Sequence, residues 1–246
     1  MKNKTLTASL ALALIFGLTS AFAGNVAEVE QVGNGNEAEV DQAGSLNEAD
    51  VYQQGNNHES EVLQTGDGNT GEVSQTANGG DLALIEQVGD DNIALINQDG
   101  ASGTHIGTVY QEGNENEAYI ERQGAWGSGD AVASITQIGN ENWANQYQHL
   151  NKDTFASIYQ EGDGNWADQD QRVGFSGGGS GHSAEIDQIG DENTAMQKQT
   201  GKSHESLILQ TGDGNWAEVV QSAEGHLGNI TQTGNMNSAL INQSTP

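Results

Sequence analysis

The sequence predicts an all-β protein, a β-solenoid with two strands in each coil and about 9.5 coils stacked in cross-β fashion. Three observations lead to this fold class. One glutamine recurs at short intervals along the chain, the residues before it alternate with period two, and the intervals follow a two-unit rule. Internal repetition of this kind is typical of solenoids, in which each coil is stabilised by its neighbours.

The N-terminal segment, residues 1–23, is predicted to be a secretory signal peptide. Lys2 and Lys4 precede an apolar run over residues 6–18, and the A-x-A cleavage site Ala21-Phe22-Ala23 follows. The apolar run is too short for a comfortable transmembrane helix. We therefore expect residues 24–246 to form a secreted β-solenoid domain that does not insert into a membrane.

Each of nineteen repeat units contains one anchor position, numbered 0 here. Arg122 occupies the ninth anchor, and a glutamine occupies each of the others. The anchor glutamines are Gln31, Gln42, Gln53, Gln64, Gln75, Gln87, Gln98, Gln111, Gln137, Gln148, Gln160, Gln171, Gln188, Gln199, Gln210, Gln221, Gln232 and Gln243.

Four positions of each unit are predicted to lie on one face of a strand. Position −2 is Val or Ile in 16 of 19 units, position −4 is always small, and position −6 is Asn in eleven units and His in five. Residues two apart share a face of a strand, whereas a helix requires a period near 3.6. Each unit is therefore one short strand with these side chains pointing inward, followed by a turn rich in Gly, Asn and Asp.

The steps between anchors show that two strands form one structural repeat. Every step that leaves an even-numbered unit has the same length as the step from Gln42 to Gln53. Every longer step, such as the one from Gln171 to Gln188, leaves an odd-numbered unit. One turn of each coil is thus fixed in length and the other tolerates insertions, as expected when all loops of a solenoid lie along one edge.

Side-chain ladders explain how so polar a chain can build a core. Leu, Ile, Val and Phe provide 46 of 246 residues and the net charge is −28, which by itself is typical of a disordered chain. Stacked strands pair their backbones, and identical Gln and Asn amides hydrogen-bond along the stack. The residues expected to form this core ladder are Gln31, Gln42, Gln64, Gln87, Gln111, Gln137, Gln160, Gln188, Gln210, Gln221, Gln232, Gln243, Asn36, Asn69, Asn92, Asn142, Asn165, Asn193, Asn215 and Asn237.

Charge and side-chain chemistry argue against several function classes. The acidic chain lacks the basic patch that nucleic acids or anionic membranes require, and it has no cysteine. We find no catalytic constellation, so we predict neither an enzyme nor a bound cofactor. The five histidines at position −6 lie on separate coils, so they are interpreted as ladder residues rather than metal ligands. The G-D-G-N segments are interpreted as turns, with calcium binding as the alternative.

Sequence segments with fixed residue spacing resemble the repeat of a known family. Gln64-x-Gly66-x-x-Asn69 and the stretch Gln210-x-Gly212-x-x-Asn215-x-Ala217-x-x-x-Gln221 resemble the curlin repeat, Ser-x5-Gln-x-Gly-x2-Asn-x-Ala-x3-Gln. The resemblance covers about 25–243, although the opening Ser is mostly His or Asn here. It implies a functional amyloid of bacterial biofilms, secreted through an outer-membrane pore and nucleated by a second subunit at the cell surface.

The terminal units are expected to be polymerisation ends. Val29 and Gln31 in the first unit, and Ile241 and Gln243 in the last, lie in units without a recognisable polar cap. Because uncapped strand edges template further pairing, we expect copies of the chain to assemble head to tail into extracellular fibres for biofilm matrix and surface adhesion. The alternatives are a minor nucleating subunit of the same system and a soluble β-solenoid that binds calcium, polysaccharide or ice.

Overall fold

The computed structural model describes residues 24–77, 79–100, 103–124, 130–149, 153–172 and 181–244. The predicted signal peptide lies outside these residues. No helix capable of crossing a membrane occurs within the described ranges. Nineteen strands are described: β1 Val26–Asn34, β2 Glu37–Ser45, β3 Glu48–Asn56, β4 Glu59–Asp67, β5 Thr70–Ala77, β6 Leu82–Val88, β7 Ile93–Gly100, β8 His105–Glu112, β9 Glu117–Gln123, β10 Ala131–Ile138, β11 Trp143–His149, β12 Thr154–Glu161, β13 Trp166–Arg172, β14 Ser183–Ile189, β15 Thr194–Lys202, β16 Glu205–Thr211, β17 Trp216–Glu224, β18 Leu227–Thr233 and β19 Ser238–Ser244.

The strands form two parallel sheets, and the predicted fold class is confirmed. The ten odd-numbered strands make one sheet in chain order from β1 to β19, and the nine even-numbered strands make the other from β2 to β18. Each coil therefore contributes one strand to each sheet. At the usual strand spacing, nine and a half such layers give a stack of ~45 Å.

Within each sheet, every strand stacks on its neighbour in the register that the repeat predicts. Val29 pairs with Val51 and Gln31 with Gln53 in the odd sheet, and the same alignment of equivalent positions continues through both sheets. The chain gaps between described ranges all follow odd-numbered strands, where the sequence carries its insertions. Insertions at one edge leave the register of the strands unchanged, which is why units of different length can stack.

The residues at positions −4 and −2 provide the apolar part of the core between the sheets. Side chains such as Ala83, Ile85, Ala144 and Ile158 are at most 1% exposed. The small residue at −4 lets the sheets approach, and each buried Val or Ile stabilises the fold by about 2 kcal/mol relative to exposure. In the outermost strands the equivalent residues, including Val29 and Ile241, are only half-buried.

The turns after even-numbered strands share the sequence G-x-x-N, and we call this side of the stack the fixed edge. The first glycine approaches the next layer closely: at Gly139 φ is 123°, and a Cβ would lie 2.1 Å from the carbonyl oxygen of Gly162. The third position is left-handed, with φ of 66° at Gly164 and 56° at Glu141. The second glycine of G-D-G-N therefore relieves backbone strain. We call the side after odd-numbered strands the variable edge.

We expect Gly139→Ala to lower the free energy of unfolding by about 2 kcal/mol or more, because the new methyl group meets a backbone carbonyl that cannot move alone. Denaturant unfolding of the folded chain would measure this. Gly24→Ala is the matched control, since a Cβ there meets no atom within 4 Å. Equal stability of the two variants would contradict the close approach.

Candidate functional site: the side-chain ladders and the two open ends

The anchor glutamines of the even sheet form an unbroken hydrogen-bonded column. From Gln42 to Gln232, each Nε2 donates to the Oε1 of the next glutamine at 2.8–2.9 Å. All the bonds run in the same sense, with the donor always in the strand nearer the N-terminus. The column therefore has a direction, and its two ends differ chemically.

The same amides also join the two sheets. Gln137 Nε2 donates to Gln160 Oε1 at 2.9 Å and to the backbone oxygen of Glu117, in the opposite sheet, at 3.0 Å. Gln137 Oε1 accepts from Gln111 at 2.8 Å. Both amide hydrogens and the oxygen are thus bonded, so burying this polar side chain leaves no unpaired group.

The glutamine column of the odd sheet is interrupted at Arg122. Hydrogen bonds connect Gln31 through Gln98 and resume from Gln148 to Gln243. Arg122 is 3% exposed, and burial lowers its pKa to about 10, although the charge of Asp81 opposes that shift. The interruption therefore places a cation inside the solenoid.

Asp81 is the buried acid near this cation. It occupies position −6 of the sixth unit, directly before β6, and lies between His58 and His105 in the stack. Its carboxylate oxygens lie 3.5 Å from His58 Nδ1 and 2.7 Å from His105 Nδ1. Asp81 Oδ1 also accepts a hydrogen bond from the backbone N–H of His105 at 3.0 Å. In the sequence, Asp81 is an exception at position −6 and Arg122 is an exception at position 0. Their spacing along the chain does not show that they share an interior.

The two sheets differ at position −6, a difference that counts over all nineteen units do not show. All ten odd-numbered strands have Asn there, whereas the even-numbered strands have mostly His and only one Asn, Asn36. Asn142 illustrates the odd column: its Nδ2 donates to Asn116 Oδ1 at 3.1 Å and to Gly162 O at 2.7 Å. The asparagines thus tie each strand to the fixed-edge turns. Sorting the units by parity would have revealed this difference.

Three histidines stack near the C-terminal end of the even sheet. The rings of His182, His204 and His226 are 5.2 and 5.3 Å apart and nearly parallel. Nδ1 of His182 accepts a hydrogen bond from the backbone N–H of His204, and Nδ1 of His204 accepts one from that of His226, both at 3.2 Å. Burial, and to a lesser extent the neighbouring His204, lowers the pKa of His182 to about 4. Burial also lowers the pKa of His204. Within the described ranges, no three His, Cys, Asp or Glu residues are grouped to hold a metal ion.

The exceptions at position −2 are neighbours in space. Gln146, Gln169 and Gln197 follow one another in the odd sheet and form a second short amide column, with bonds of 2.9 and 3.0 Å. Each also donates to a backbone oxygen of the even sheet. The column leaves Gln146 Oε1, at its start, without a partner among the described residues. Glutamine can replace Val or Ile here because it does so in three consecutive layers.

Aromatic residues lie along the outer face of the odd sheet. Trp143 and Trp166 stack at 4.9 Å with an interplanar angle of 6°. Thr194 separates Trp166 from Trp216 in the sheet. The stacked rings cover each other's faces, so this arrangement stabilises neighbouring layers.

The two open ends of the stack are complementary in hydrogen bonding. At the N-terminal end, the Oε1 atoms of Gln31 and Gln42 accept no hydrogen bond from the described residues. At the C-terminal end, Gln232 Nε2 donates only to Trp216 O and Gln243 Nε2 only to Leu227 O. The second amide hydrogen of each glutamine therefore has no acceptor among the described residues. Asn237 Oδ1 likewise accepts nothing within the described chain. One end therefore offers the glutamine acceptors and the other the glutamine donors.

The ends also differ in charge. The outward side chains of β1 and β2 include five carboxylates, whereas the sequences of β18 and β19 contain no charged residue. The acidic side chains are Glu28, Glu30, Glu37, Glu39 and Asp41. Stacking the N-terminal end on the C-terminal end thus avoids placing carboxylates directly over one another.

The model of the curlin associated repeat matches three segments of the chain, residues 22–45, 47–76 and 190–222. The chain therefore contains curlin-associated repeats. These matches confirm the resemblance seen in the sequence, and they include the first two strands and the region around β16 and β17. No curated protein matches this curlin-repeat protein at a significant level.

We expect Asp81→Asn to lower the free energy of unfolding by about 3 kcal/mol, because it leaves the Arg122 charge buried without its nearby acid. Asn keeps an oxygen for the backbone N–H of His105. Adding Arg122→Gln removes the cation and restores a glutamine between Gln98 and Gln148. A double-mutant cycle by denaturant unfolding would measure the coupling, and strictly additive effects would contradict it.

Stability should depend on pH through the histidine stack. An unfolded histidine titrates near pH 6.5, whereas the pKa of folded His182 is about 4. The folded chain binds fewer protons between these values, so its stability is complete above about pH 6.5 and falls as the pH drops toward 4, by an amount on the order of 3 kcal/mol.

Replacing His182, His204 and His226 together by Asn, the residue found at this position in β2 and in the odd sheet, should reduce that loss. Denaturant midpoints at pH values of about 7 and about 4.5 would test it. His149→Asn is the control, since His149 lies outside the stack. An unchanged difference between the two pH values in the triple variant would argue against the assignment.

Proposed function

We propose that this curlin-repeat protein is a structural subunit of an extracellular amyloid fibre, built by copies of the chain that add head to tail. The observation that carries the proposal is the pair of open ends. Each ends in strands whose backbone and interior side chains lack a neighbouring layer, and each supplies what the other lacks. The proposed role is structural rather than enzymatic.

Hydrogen-bond polarity favours contact between unlike ends. An incoming N-terminal end brings the acceptor oxygens of Gln31 and Gln42 to the donors of Gln232 and Gln243. The asparagine column runs in the opposite sense, so the C-terminal end also offers Asn237 Oδ1 as an acceptor. Two N-terminal ends would bring glutamine acceptors together and leave them unpaired, which is costly for buried groups.

Apolar burial favours the same contact. Val29 and Ile241 are half-buried in the isolated chain, whereas the residues at their position in inner layers are almost completely buried. A new layer at either end would complete their burial, at about 25 cal/mol for each Å² of apolar surface removed from water. A contact between two different surfaces of the same molecule does not close on itself, so repetition produces a filament.

Charge further disfavours contact between two N-terminal ends. In such a contact the five carboxylates of β1 and β2 would face their equivalents across one layer spacing. Unit charges about 4–5 Å apart repel by about 1 kcal/mol in water and more near a protein surface. The uncharged β18 and β19 strands provide a surface on which the acidic strands can stack without this repulsion.

The biological setting of the proposal comes from the curlin repeats and the N-terminal segment. Residues 1–23 support export from the cytoplasm, and the repeats support a fibre at the bacterial surface that contributes to biofilm matrix and adhesion. A nucleating subunit and a secretion pore are the partners we propose for assembly and export.

Charges placed inside the terminal strands should block growth at one end only. We expect Val29→Lys with Gln31→Lys to disable the N-terminal end, and Ile241→Lys with Gln243→Lys to disable the C-terminal end. Neither variant alone should elongate wild-type seeds beyond one added subunit, whereas an equimolar mixture should form discrete heterodimers through the two intact ends. Seeded thioflavin kinetics and size-exclusion chromatography would measure these outcomes.

The matched control carries the same two charges on the outer face of the same strand, Leu240→Lys with Asn242→Lys, and should still elongate. Elongation by the blocked variants at the control rate would disprove the proposed ends. A wild-type chain that remains monomeric would favour the binding-module alternative instead.

A further inference from the structure

The stack of described strands ends on an incomplete layer. The odd sheet has ten strands and the even sheet nine, so β19 has no partner strand beside it in the even sheet. Resting on the proposed head-to-tail assembly, we propose that each incoming copy is rotated by half a turn about the fibre axis. Its β1 then stacks on β18 and its β2 stacks on β19.

A copy added without rotation would leave a hole. Its β1 would have to stack on β19, because both belong to the odd sheet, and its β2 would then lie two layer spacings from β18. The gap in the even sheet would hold one strand, and it would recur at every junction. Such a gap leaves the backbone groups and the interior side chains of two strands unpaired, which is costly for buried polar groups.

The half-turn is compatible with the strand directions. Consecutive strands run in opposite directions on the two faces of each coil, and both sheets are parallel internally. A half-turn about the stack axis moves a strand of the odd sheet onto the even sheet and reverses its direction, as the even sheet requires. The incoming β1 therefore takes the place that a twentieth strand of the same chain would occupy.

Asn36 fits this arrangement and has no comparable partner without it. Asn36 is the single Asn at position −6 in the even sheet. In the odd sheet, by contrast, all ten residues at this position are Asn. After the half-turn, Asn36 lies over Asn237, whose Oδ1 accepts nothing within the described chain. The backbone N–H of Asn36 can then donate to that oxygen, as Asn237 itself donates to Asn215 Oδ1 at 2.9 Å.

The turn over residues 33–36 gives independent support. Its sequence G-N-G-N follows the G-x-x-N rule of the nine fixed-edge turns, although it lies on the variable edge of its own chain, where no other turn follows the rule. Its glycines have φ of 128° at Gly33 and 69° at Gly35, close to 111° and 63° at Gly212 and Gly214. The half-turn places this turn on the fixed edge, directly over residues 234–237.

The fixed edge also carries a series of turn hydrogen bonds that the incoming turn can continue. In each turn, the backbone N–H of the second residue donates to the side-chain oxygen of the second residue in the turn of the next layer. The last of these bonds runs from the backbone N–H of Asp213 to Asn235 Oδ1 at 3.0 Å. The same bond joins Asn34 to Asn56 at 3.2 Å. In the rotated junction Asn235 would donate to Asn34 Oδ1, so the series would cross the boundary between copies.

The other half of the junction has a precedent within the chain. Asn25 of the incoming copy would lie over His226. Nδ1 of His226 accepts no hydrogen bond from the described residues and would receive the backbone N–H of Asn25. The equivalent bond joins the backbone N–H of Asp81 to His58 Nδ1 at 3.3 Å, where a residue other than histidine follows a histidine.

Engineered disulfides can distinguish the two orientations, because the chain has no cysteine of its own. In the rotated junction Asp41 of one copy lies beside Asn242 of the next, both pointing outward, whereas without rotation Glu30 would lie there instead. In-register neighbours about 4.8 Å apart satisfy disulfide geometry. Asp41→Cys with Asn242→Cys is the test variant, and Glu30→Cys with Asn242→Cys is the matched control.

Both variants would be assembled under reducing conditions, oxidised as fibres, dissolved in denaturant without reductant and separated by size. We expect a ladder of covalent multimers from the test variant, and monomer with at most a tenth of that cross-linking from the control. Multimers from the control variant alone would overturn the half-turn. Fibres in which neither variant cross-links would overturn it too, since the contact would not be in register. Failure of the wild-type chain to form fibres would instead reject the proposed function.

Discussion

Stacking of each amide on its own kind is the interaction on which the whole structure depends. A glutamine such as Gln137 can be buried because one neighbour in the stack accepts its hydrogen, another donates to its oxygen, and the opposite sheet accepts the second hydrogen. Removing any neighbouring layer leaves part of that set unpaired. A single coil is therefore not a stable unit, and the composition of the chain, typical of disorder when residue order is ignored, becomes compatible with a dry interior only when layers accumulate.

This constraint also explains where the sequence is free to vary. Exchange of an apolar residue for glutamine at position −2 occurs in three consecutive layers, so Gln146, Gln169 and Gln197 bond one another. A single ionic replacement needs a countercharge within the interior, and Arg122 has Asp81. Insertions are confined to the variable edge because the fixed edge carries two hydrogen-bonded series, one through the asparagines and one through the second turn residues.

The fold could be predicted from the sequence because its period, residue types and step lengths all describe the same coil. Position −2 and position 0 fixed the inward face, and the parity of the longer steps fixed two strands per coil. The difference between the sheets at position −6 is not visible in counts over all nineteen units. It appears only when the odd-numbered and even-numbered units are compared separately. The proximity of Asp81 to Arg122 could not be predicted, because it arises between units three apart in the chain and neither residue belongs to the repeat pattern.

The direction of the amide columns links stability to assembly. Each glutamine bond has its donor on the side nearer the N-terminus, and reversing one amide would set two donors against each other at one neighbour and two acceptors at the other. The whole column must therefore point one way, so a stack of any length keeps an acceptor end and a donor end. Adding a copy moves these unpaired groups outward without removing them, and the bonds that hold the interior together thereby regenerate the growing surface at every step.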